Sequence, residues 1–287
     1  MGNDVSRRTV LVGAGGLLLA SVEGALPQVT GDAVSPGNFD IPSPEANLAG
    51  FIRMMASTDE VDVPWWYNGT VYAVIGETQN PQPLFRFSGM ELYLVSHLDD
   101  GTFELTGNTV TFFRGLDDVW LEDFKNPMTG KTNKVQPATQ GGGPGRGFNL
   151  SVNGVRFTKF MDKIPDEPLK KWWSVAADKV WMNNDTVYPP GLTAPRAQSQ
   201  SMFASVKDFN DPELPRLSSV FSSTVTMPWL NWMEMEGEPG HLLWHAAGAK
   251  LPSVDALPAD YRQRIDAEYP ERLVVSRDAD AEIPRVE

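Results

Sequence analysis

The chain of 287 residues contains no cysteine and only three histidines. The absence of cysteine excludes disulfides, thiolate nucleophiles and every metal or cluster site with a cysteine ligand. His, Asp and Glu remain as possible metal ligands. We predict that the protein works without a metal and without a cofactor.

Positive charge is also scarce, with 24 Lys and Arg against 37 Asp and Glu and a net charge of −13. This balance argues against nucleic acid and anionic membrane surfaces as partners, because both are bound through basic surfaces. Aromatic residues are plentiful, with nine Trp, fourteen Phe and six Tyr. They fit either a packed core or a pocket, and we predict a small hydrophobic or aromatic molecule as the partner.

The hydrophobic run Val10 to Ala20 is too short to span a bilayer, which needs about 20 apolar residues. Ser6-Arg7-Arg8 stands directly before it, and the whole segment resembles a bacterial twin-arginine export signal. We predict that residues 1–33 are this signal and a linker, read by the twin-arginine export machinery, and that 34–287 are a single domain. The protein is then periplasmic or secreted, with no stable membrane insertion after removal of the signal.

The body of the chain consists of short runs with polar and apolar alternation, divided by Asn-Gly, Asp-Gly and Gly-Asn turn signals. Helical spacing of apolar residues predicts three helices, near Leu48 to Met55, Leu169 to Val180 and Leu257 to Ile265. These patterns predict a mainly β fold, a single antiparallel β-barrel or strongly curved sheet of calycin-like design with a few flanking helices. A barrel of this kind holds a small ligand.

The stretch GHLLWHAAGAKL contains two of the three histidines, His241 and His245. On a helix they would match zinc-binding H-E-x-x-H spacing, but Leu242 stands where the pattern requires Glu. The preceding Pro-Gly favours a strand, with His241 and His245 on one face and Leu242 and Trp244 on the other. Three interpretations remain: a structural pair, a proton-transfer pair, or a metal site completed by Glu91, Glu234 or Glu236.

A second stretch, GMELYLVSHL, places Glu91, Tyr93, Val95 and His97 on one face of a strand. The mixture of polar and apolar groups is typical of a ligand cavity, and the exposed outside of a strand is the alternative. The candidate catalytic residues are His97, His241 and His245 as acids or bases, with Glu91 and Tyr93 as their partners. The candidate substrate-binding walls are Trp229, Trp232 and Trp244.

Three motifs, WWYNGTVYAV, FKNPMTGKTNKV and PGHLLWHAAGAKL, together resemble the DUF1838 family over about Leu48 to Tyr269. That resemblance implies no catalytic residues, because the family has no assigned function. A looser similarity of design is to calycin-type barrels, which include ligand carriers and cofactor-free cyclases and isomerases. It implies two alternatives: a cofactor-independent lyase, isomerase or cyclase using His, Tyr and Glu, or a non-catalytic carrier of a lipophilic ligand.

Overall fold

A computed structural model of the protein describes residues 34–38, 43–76, 80–142, 147–157, 169, 172–187 and 197–277. The predicted export signal lies outside the described residues. Within them, no helix combines the length and the apolar character that crossing a membrane requires. Residues Ala33–Glu287 form one compact unit.

Most of the described chain is antiparallel β-structure, which confirms the mainly β prediction. Twelve strands form one sheet in the order β1-β10-β11-β12-β13-β14-β2-β3-β4-β8-β9, with β7 paired to β4, and β5 and β6 form a separate hairpin. The strands are β1 (Val34–Asn38), β2 (Val63–Val74), β3 (Gln82–His97), β4 (Phe103–Arg114), β5 (Asp123–Lys125), β6 (Thr132–Lys134), β7 (Ala138–Gly142), β8 (Phe148–Ser151), β9 (Gly154–Phe157), β10 (Trp172–Ala177), β11 (Lys179–Val187), β12 (Ala197–Ser205), β13 (Val220–Met227) and β14 (His241–Lys250).

The first helix, α1 (Pro44–Met55), contains the predicted stretch Leu48 to Met55 and begins four residues earlier. Pro44 suits the first turn, and the Ser43 side chain accepts a hydrogen bond from the amide of Ala46, which caps the free backbone donors. The helix buries Phe51 and Ile52 against the sheet. Two other helices follow, α2 (Val206–Phe209) and α3 (Ala259–Glu268).

One face of the sheet contacts both ends of α1. Trp173 of β10 donates its indole N–H to Asn47 Oδ1 at 2.8 Å, and Trp65 of β2 donates to the Met55 carbonyl at 2.8 Å. The two strands are five steps apart in the strand order. The described strand order ends at β1 and β9, so these strands form an open path.

The two faces of the sheet carry separate cores. The concave face, defined by Trp65, Tyr67, Phe87 and Trp244, packs toward α1. The convex face carries Met90, Leu92, Leu94, Val110 and Phe112, and α3 covers it with Tyr261 and Ile265. The Tyr261 hydroxyl donates to the Val110 carbonyl at 2.7 Å, which fixes the helix on the strand. The predicted closing helix is thus confirmed.

The helix predicted between Leu169 and Val180 is wrong. Residues 172–187 form the β10–β11 hairpin, in which Ala176 pairs with Lys179 across a two-residue loop. Trp173 and Val175 are buried, and so are Val180 and Met182, so a period of two fits the apolar residues as well as the helical period does. Pairing with β1 on one side and β12 on the other selects the strand form.

Two dipeptides interpreted as turn signals, Asn68-Gly69 and Gly107-Asn108, lie inside strands β2 and β4. A Cβ atom on Gly69 would lie 1.9 Å from the His245 carbonyl oxygen, and one on Gly107 would lie 2.5 Å from that of Leu92. Glycine is needed at both places for close approach of neighbouring strands rather than for a turn.

Candidate functional site

Glu91 lies in the middle of β3 on the concave face, between Trp65 of β2 and Thr109 of β4. Its carboxylate Oε2 accepts a hydrogen bond from the Tyr93 hydroxyl at 2.7 Å. Burial raises the pKa of Glu91 above its ordinary value, and the bond from Tyr93 lowers it in part. A half-buried carboxyl with a raised pKa holds a proton more readily than an exposed one, which suits it to accept and return a proton.

Two hydroxyl groups beside Glu91, those of Tyr67 and Thr111, form a pair that was not foreseen from the sequence. The Tyr67 hydroxyl and Thr111 Oγ1 are 2.7 Å apart and buried. Burial raises the pKa of Tyr67 well above its ordinary value, and the charge of Glu91 adds to this effect. Tyr67 is therefore a neutral hydrogen-bonding group. Its signal in the sequence is the alternation that places it on the same face as Trp65.

The histidines of β14 lie on the convex face, away from Glu91 and Tyr93. The predicted strand is present, with Leu242 and Trp244 buried on the concave side. His245 is exposed, and its Nδ1 lies 3.4 Å from Thr224 Oγ1, while His241 is half-buried. The structure therefore keeps this pair apart from the carboxyl and phenol that were proposed as its partners.

His97 shares the alternation of Glu91 but occupies the exposed end of β3. Its Nε2 lies 3.0 Å from the Thr58 carbonyl oxygen, and its ring packs against Phe103 at 4.8 Å. Six residues along a strand correspond to about 20 Å, so His97 lies far from Glu91. The structure does not bring the three histidines together.

Two of the three candidate tryptophans belong to one aromatic cluster. Trp244 contacts Phe87 at 4.8 Å and Phe113 at 5.8 Å between ring centroids, and Trp232 contacts Phe113 at 5.7 Å. Trp229 lies in the segment before β14, where its indole N–H donates to the Glu238 carbonyl at 3.2 Å. Trp244 and Trp232 thus form an apolar wall, and Trp229 packs against the same core from the segment before β14.

Trp229 lines an open hollow of about 770 Å³ made by the segment 228–240. The carboxylates around it, on Glu234, Glu236 and Glu238, are exposed, and Lys131 Nζ lies 3.2 Å from Glu234 Oε2. These carboxylates face solvent, whereas Glu91 is half-buried among aromatic side chains. No cluster of three His, Asp or Glu that could hold a metal ion occurs in the part of the chain that the structure describes.

A family model described as "Protein of unknown function (DUF1838)" matches residues 182–280. The family prediction is confirmed over this stretch, which is narrower than the predicted Leu48 to Tyr269. It includes β12, β13, β14 and α3, whereas Glu91 and Tyr93 lie outside it.

A search of curated proteins gives no match to this chain. Among solved structures, the complex of Pseudomonas aeruginosa MucA/MucB aligns with 8% sequence identity and a TM-score of 0.10, covering 77% of this chain and 96% of that chain. A score this low carries no information about fold or function.

Proposed function

We propose that the protein binds a small hydrophobic or aromatic molecule on the concave face of its sheet, and that Glu91 moves a proton on this molecule. The proposal depends on one observation: a half-buried carboxyl among aromatic side chains, held by the Tyr93 hydroxyl at 2.7 Å. Contact of β2 and β10 with the two ends of α1 supports a calycin-like cavity on this face, in which apolar contacts supply most of the affinity and a few polar groups orient the ligand.

The chemistry that suits this pair is proton transfer without a cofactor, as in a lyase, isomerase or cyclase. Glu91 as carboxylate takes a proton from an acidic C–H of the ligand, and the electron pair left behind shifts into a neighbouring carbonyl or double bond. The same proton returns from the Glu91 carboxyl to another atom, so no oxidant or reductant is required. The Tyr93 hydroxyl steadies the carboxylate whenever it carries charge.

Binding is tested with N-phenyl-1-naphthylamine, a neutral fluorescent probe, and chemistry is tested by deuterium exchange into neutral carbonyl compounds such as carvone and 2-tetralone. We expect the native protein to bind the probe and to speed exchange. Glu91→Gln should slow exchange by about 10² to 10⁴ with probe affinity retained. Glu213→Gln, an exposed matched control, should change neither. A protein that binds no probe contradicts the proposal.

The alternative is a carrier that binds its lipophilic ligand without chemistry. It is favoured by the placement of His97, His241 and His245, which leaves Glu91 without an imidazole partner. Probe binding with no exchange above the background in the native protein would support this alternative. Exchange that is unchanged by Glu91→Gln would remove Glu91 from the mechanism.

We also propose that the protein is exported in folded form to the periplasm or beyond. Ser6-Arg7-Arg8 before a short apolar run supports this, and a chain without cysteine needs no oxidising compartment to fold. Replacement of Arg7 and Arg8 by lysine should leave the protein in the cytoplasmic fraction of bacterial cells. Export at the native level would contradict the twin-arginine assignment.

A further inference from the structure

The part of the concave face around Glu91 is partly open to solvent. Glu91 of β3 pairs with Thr109 of β4, and Tyr93 pairs with Gly107 in the neighbouring row. All four residues are half-buried, whereas Phe87, further along β3 on the same face, is only 2% exposed. These four positions therefore give a small molecule access to Glu91.

The next row of the sheet places two hydroxyl groups beside this opening. Gly89 stands two residues before Glu91 on β3, between Tyr67 of β2 and Thr111 of β4. A Cβ atom on Gly89 would collide with the ring and the hydroxyl of Tyr67, so the phenol group occupies the place of a Gly89 side chain. Two residues of a strand span about 7 Å, so the Tyr67 hydroxyl and the Glu91 side chain project from positions about 7 Å apart.

The pair of hydroxyls has one proton more than its own hydrogen bond uses. Tyr67 and Thr111 each carry one O–H group, and only one of the two protons can lie in the 2.7 Å bond between their oxygens. No third hydrogen-bond partner of either hydroxyl occurs among the described residues. The second proton is therefore available to an oxygen of a bound molecule.

We propose that the Tyr67 hydroxyl donates this hydrogen bond to a carbonyl oxygen of the ligand, while Thr111 donates to Tyr67 and orients it. The ligand class is then a neutral ketone or aldehyde with an acidic C–H next to its carbonyl group. This inference rests on the proposed function, because it assigns the oxygen end of the molecule whose proton Glu91 takes. A carbonyl group and its neighbouring carbon, with contacts of about 3 Å at each end, fit between groups that project from positions about 7 Å apart.

Proton transfer between these groups needs no other reactant. The Glu91 carboxylate takes the proton, the C–H electron pair forms a carbon–carbon double bond, and the carbonyl electron pair moves to oxygen, which gives an enolate. Burial raises the pKa of Tyr67 and keeps its hydroxyl protonated, so its hydrogen bond strengthens as charge develops on that oxygen. Glu91 then returns the proton to the same or another carbon, and the carbonyl group forms again.

The test follows deuterium exchange into 2-tetralone together with the affinity for N-phenyl-1-naphthylamine. Tyr67→Phe should slow exchange by about 10² to 10³, the usual effect of losing one donor to a developing oxyanion, with probe affinity kept. Tyr72→Phe, which removes a hydroxyl from the other face of β2, should leave both unchanged. Thr111→Val should slow exchange roughly tenfold, and Thr111→Ser, which keeps a hydroxyl, should retain the native rate.

A second readout uses 2-naphthol, which is close in shape to the enol of 2-tetralone, and naphthalene, which lacks the oxygen. Quenching of tryptophan fluorescence should show that the native protein binds 2-naphthol roughly tenfold more tightly than naphthalene. Tyr67→Phe should reduce this preference to about twofold or less, with naphthalene affinity kept. A loss of stability alone would weaken binding of both compounds.

Two outcomes would overturn this inference alone. One is exchange that slows with Glu91→Gln but not with Tyr67→Phe, and the other is a preference for 2-naphthol that survives Tyr67→Phe. If the native protein binds the probes but speeds no exchange, proton transfer by Glu91 fails together with this inference. If no probe binds, the proposed function fails as a whole.

Discussion

At the scale of single residues, the face of the strand decides which side chains can meet a ligand. Glu91 and Tyr93 project to the concave face from alternate positions of β3, whereas His245 projects to the convex face of β14. Side chains of the same sheet thus lie in different surroundings according to the face from which they project. A carboxyl on the concave face has its pKa raised by burial, while an exposed imidazole stays in solvent.

The raised pKa of Glu91 predicts a pH dependence of stability. Between the unfolded carboxyl pKa of about 4.3 and the higher folded value, the folded state binds more protons, so the free energy of unfolding falls as pH rises. Glu91→Gln removes this loss. In urea unfolding, the variant should therefore become more stable relative to the native protein as pH rises above about 4.3 and through the raised pKa of Glu91. Glu213→Gln should keep the native profile, and a pH-independent gap between Glu91→Gln and native protein would contradict the expectation.

His245 supplies the test of the histidine pair. Since its ring is exposed and its contact with Thr224 Oγ1 is 3.4 Å long, His245→Gln should change the free energy of unfolding by less than about 0.5 kcal/mol. Binding of N-phenyl-1-naphthylamine should stay unchanged, because the residue lies on the face opposite the proposed site. A marked loss of probe affinity would place the ligand on the convex face instead.

At the scale of elements, the β10–β11 hairpin shows how the same residues fit two periodicities. Leu169, Trp173, Ala176 and Val180 have helical spacing, but Trp173 and Val175, followed by Val180 and Met182, also alternate. The loop residue Ala177 has a φ of 51°, in the left-handed region that favours glycine. Its conformation is a cost that hairpin pairing with two neighbouring strands offsets.

A substitution in this loop distinguishes a hairpin from a helix by the sign of its effect on the free energy of unfolding. Ala177→Gly should stabilise the protein by about 0.5 to 1 kcal/mol, because glycine adopts a positive φ without steric strain. On a helix the same change would cost about 1 kcal/mol. Ala176→Gly, one position earlier and inside the strand, should destabilise the protein. Chemical unfolding measures the free energy of unfolding of both variants. A loss of stability from Ala177→Gly would argue against the hairpin.

At the scale of the whole molecule, α1 connects distant parts of the chain. The Arg53 guanidinium donates to four backbone carbonyls, those of Asp208, Phe209, Asp211 and Leu214. Lys250 Nζ donates to the carbonyls of Arg53 at 2.9 Å and Ala56 at 3.0 Å, where the end of a helix favours positive charge. The helix, the segment before β13 and the end of β14 are thereby held together.

Arg53→Lys keeps the charge but loses the planar fork that reaches several carbonyls at once. Because those carbonyls would be left partly unpaired in a buried place, we expect a loss of about 2 to 4 kcal/mol in the free energy of unfolding. Arg86→Lys, whose salt bridge to Asp118 is exposed, should cost about 0.5 kcal/mol or less. Urea unfolding measures both losses. Equal losses would show that the planar guanidinium of Arg53 adds no stability beyond that of its charge.

The amino-acid sequence by itself determined the features that depend on local spacing. Apolar residues at helical intervals predicted α1 and α3, and alternation predicted β14 and the shared face of Glu91 and Tyr93. These predictions held because the geometry of one helix or one strand fixes where its own side chains point. The absence of cysteine from the sequence likewise excluded disulfides and metal sites with a cysteine ligand.

Only the tertiary structure decided what depends on contacts between distant segments. Strand pairing chose a hairpin over a helix at 172–187, and close approach of β14 explained a glycine at position 69 that resembled a turn. Contact with α1 decided which face of the sheet holds the helix, and strand register brought Glu91 beside Trp65. Local periodicity gives a side chain its direction along its own element, but the groups it meets there depend on pairing between strands far apart in the chain, which single-chain spacing does not encode.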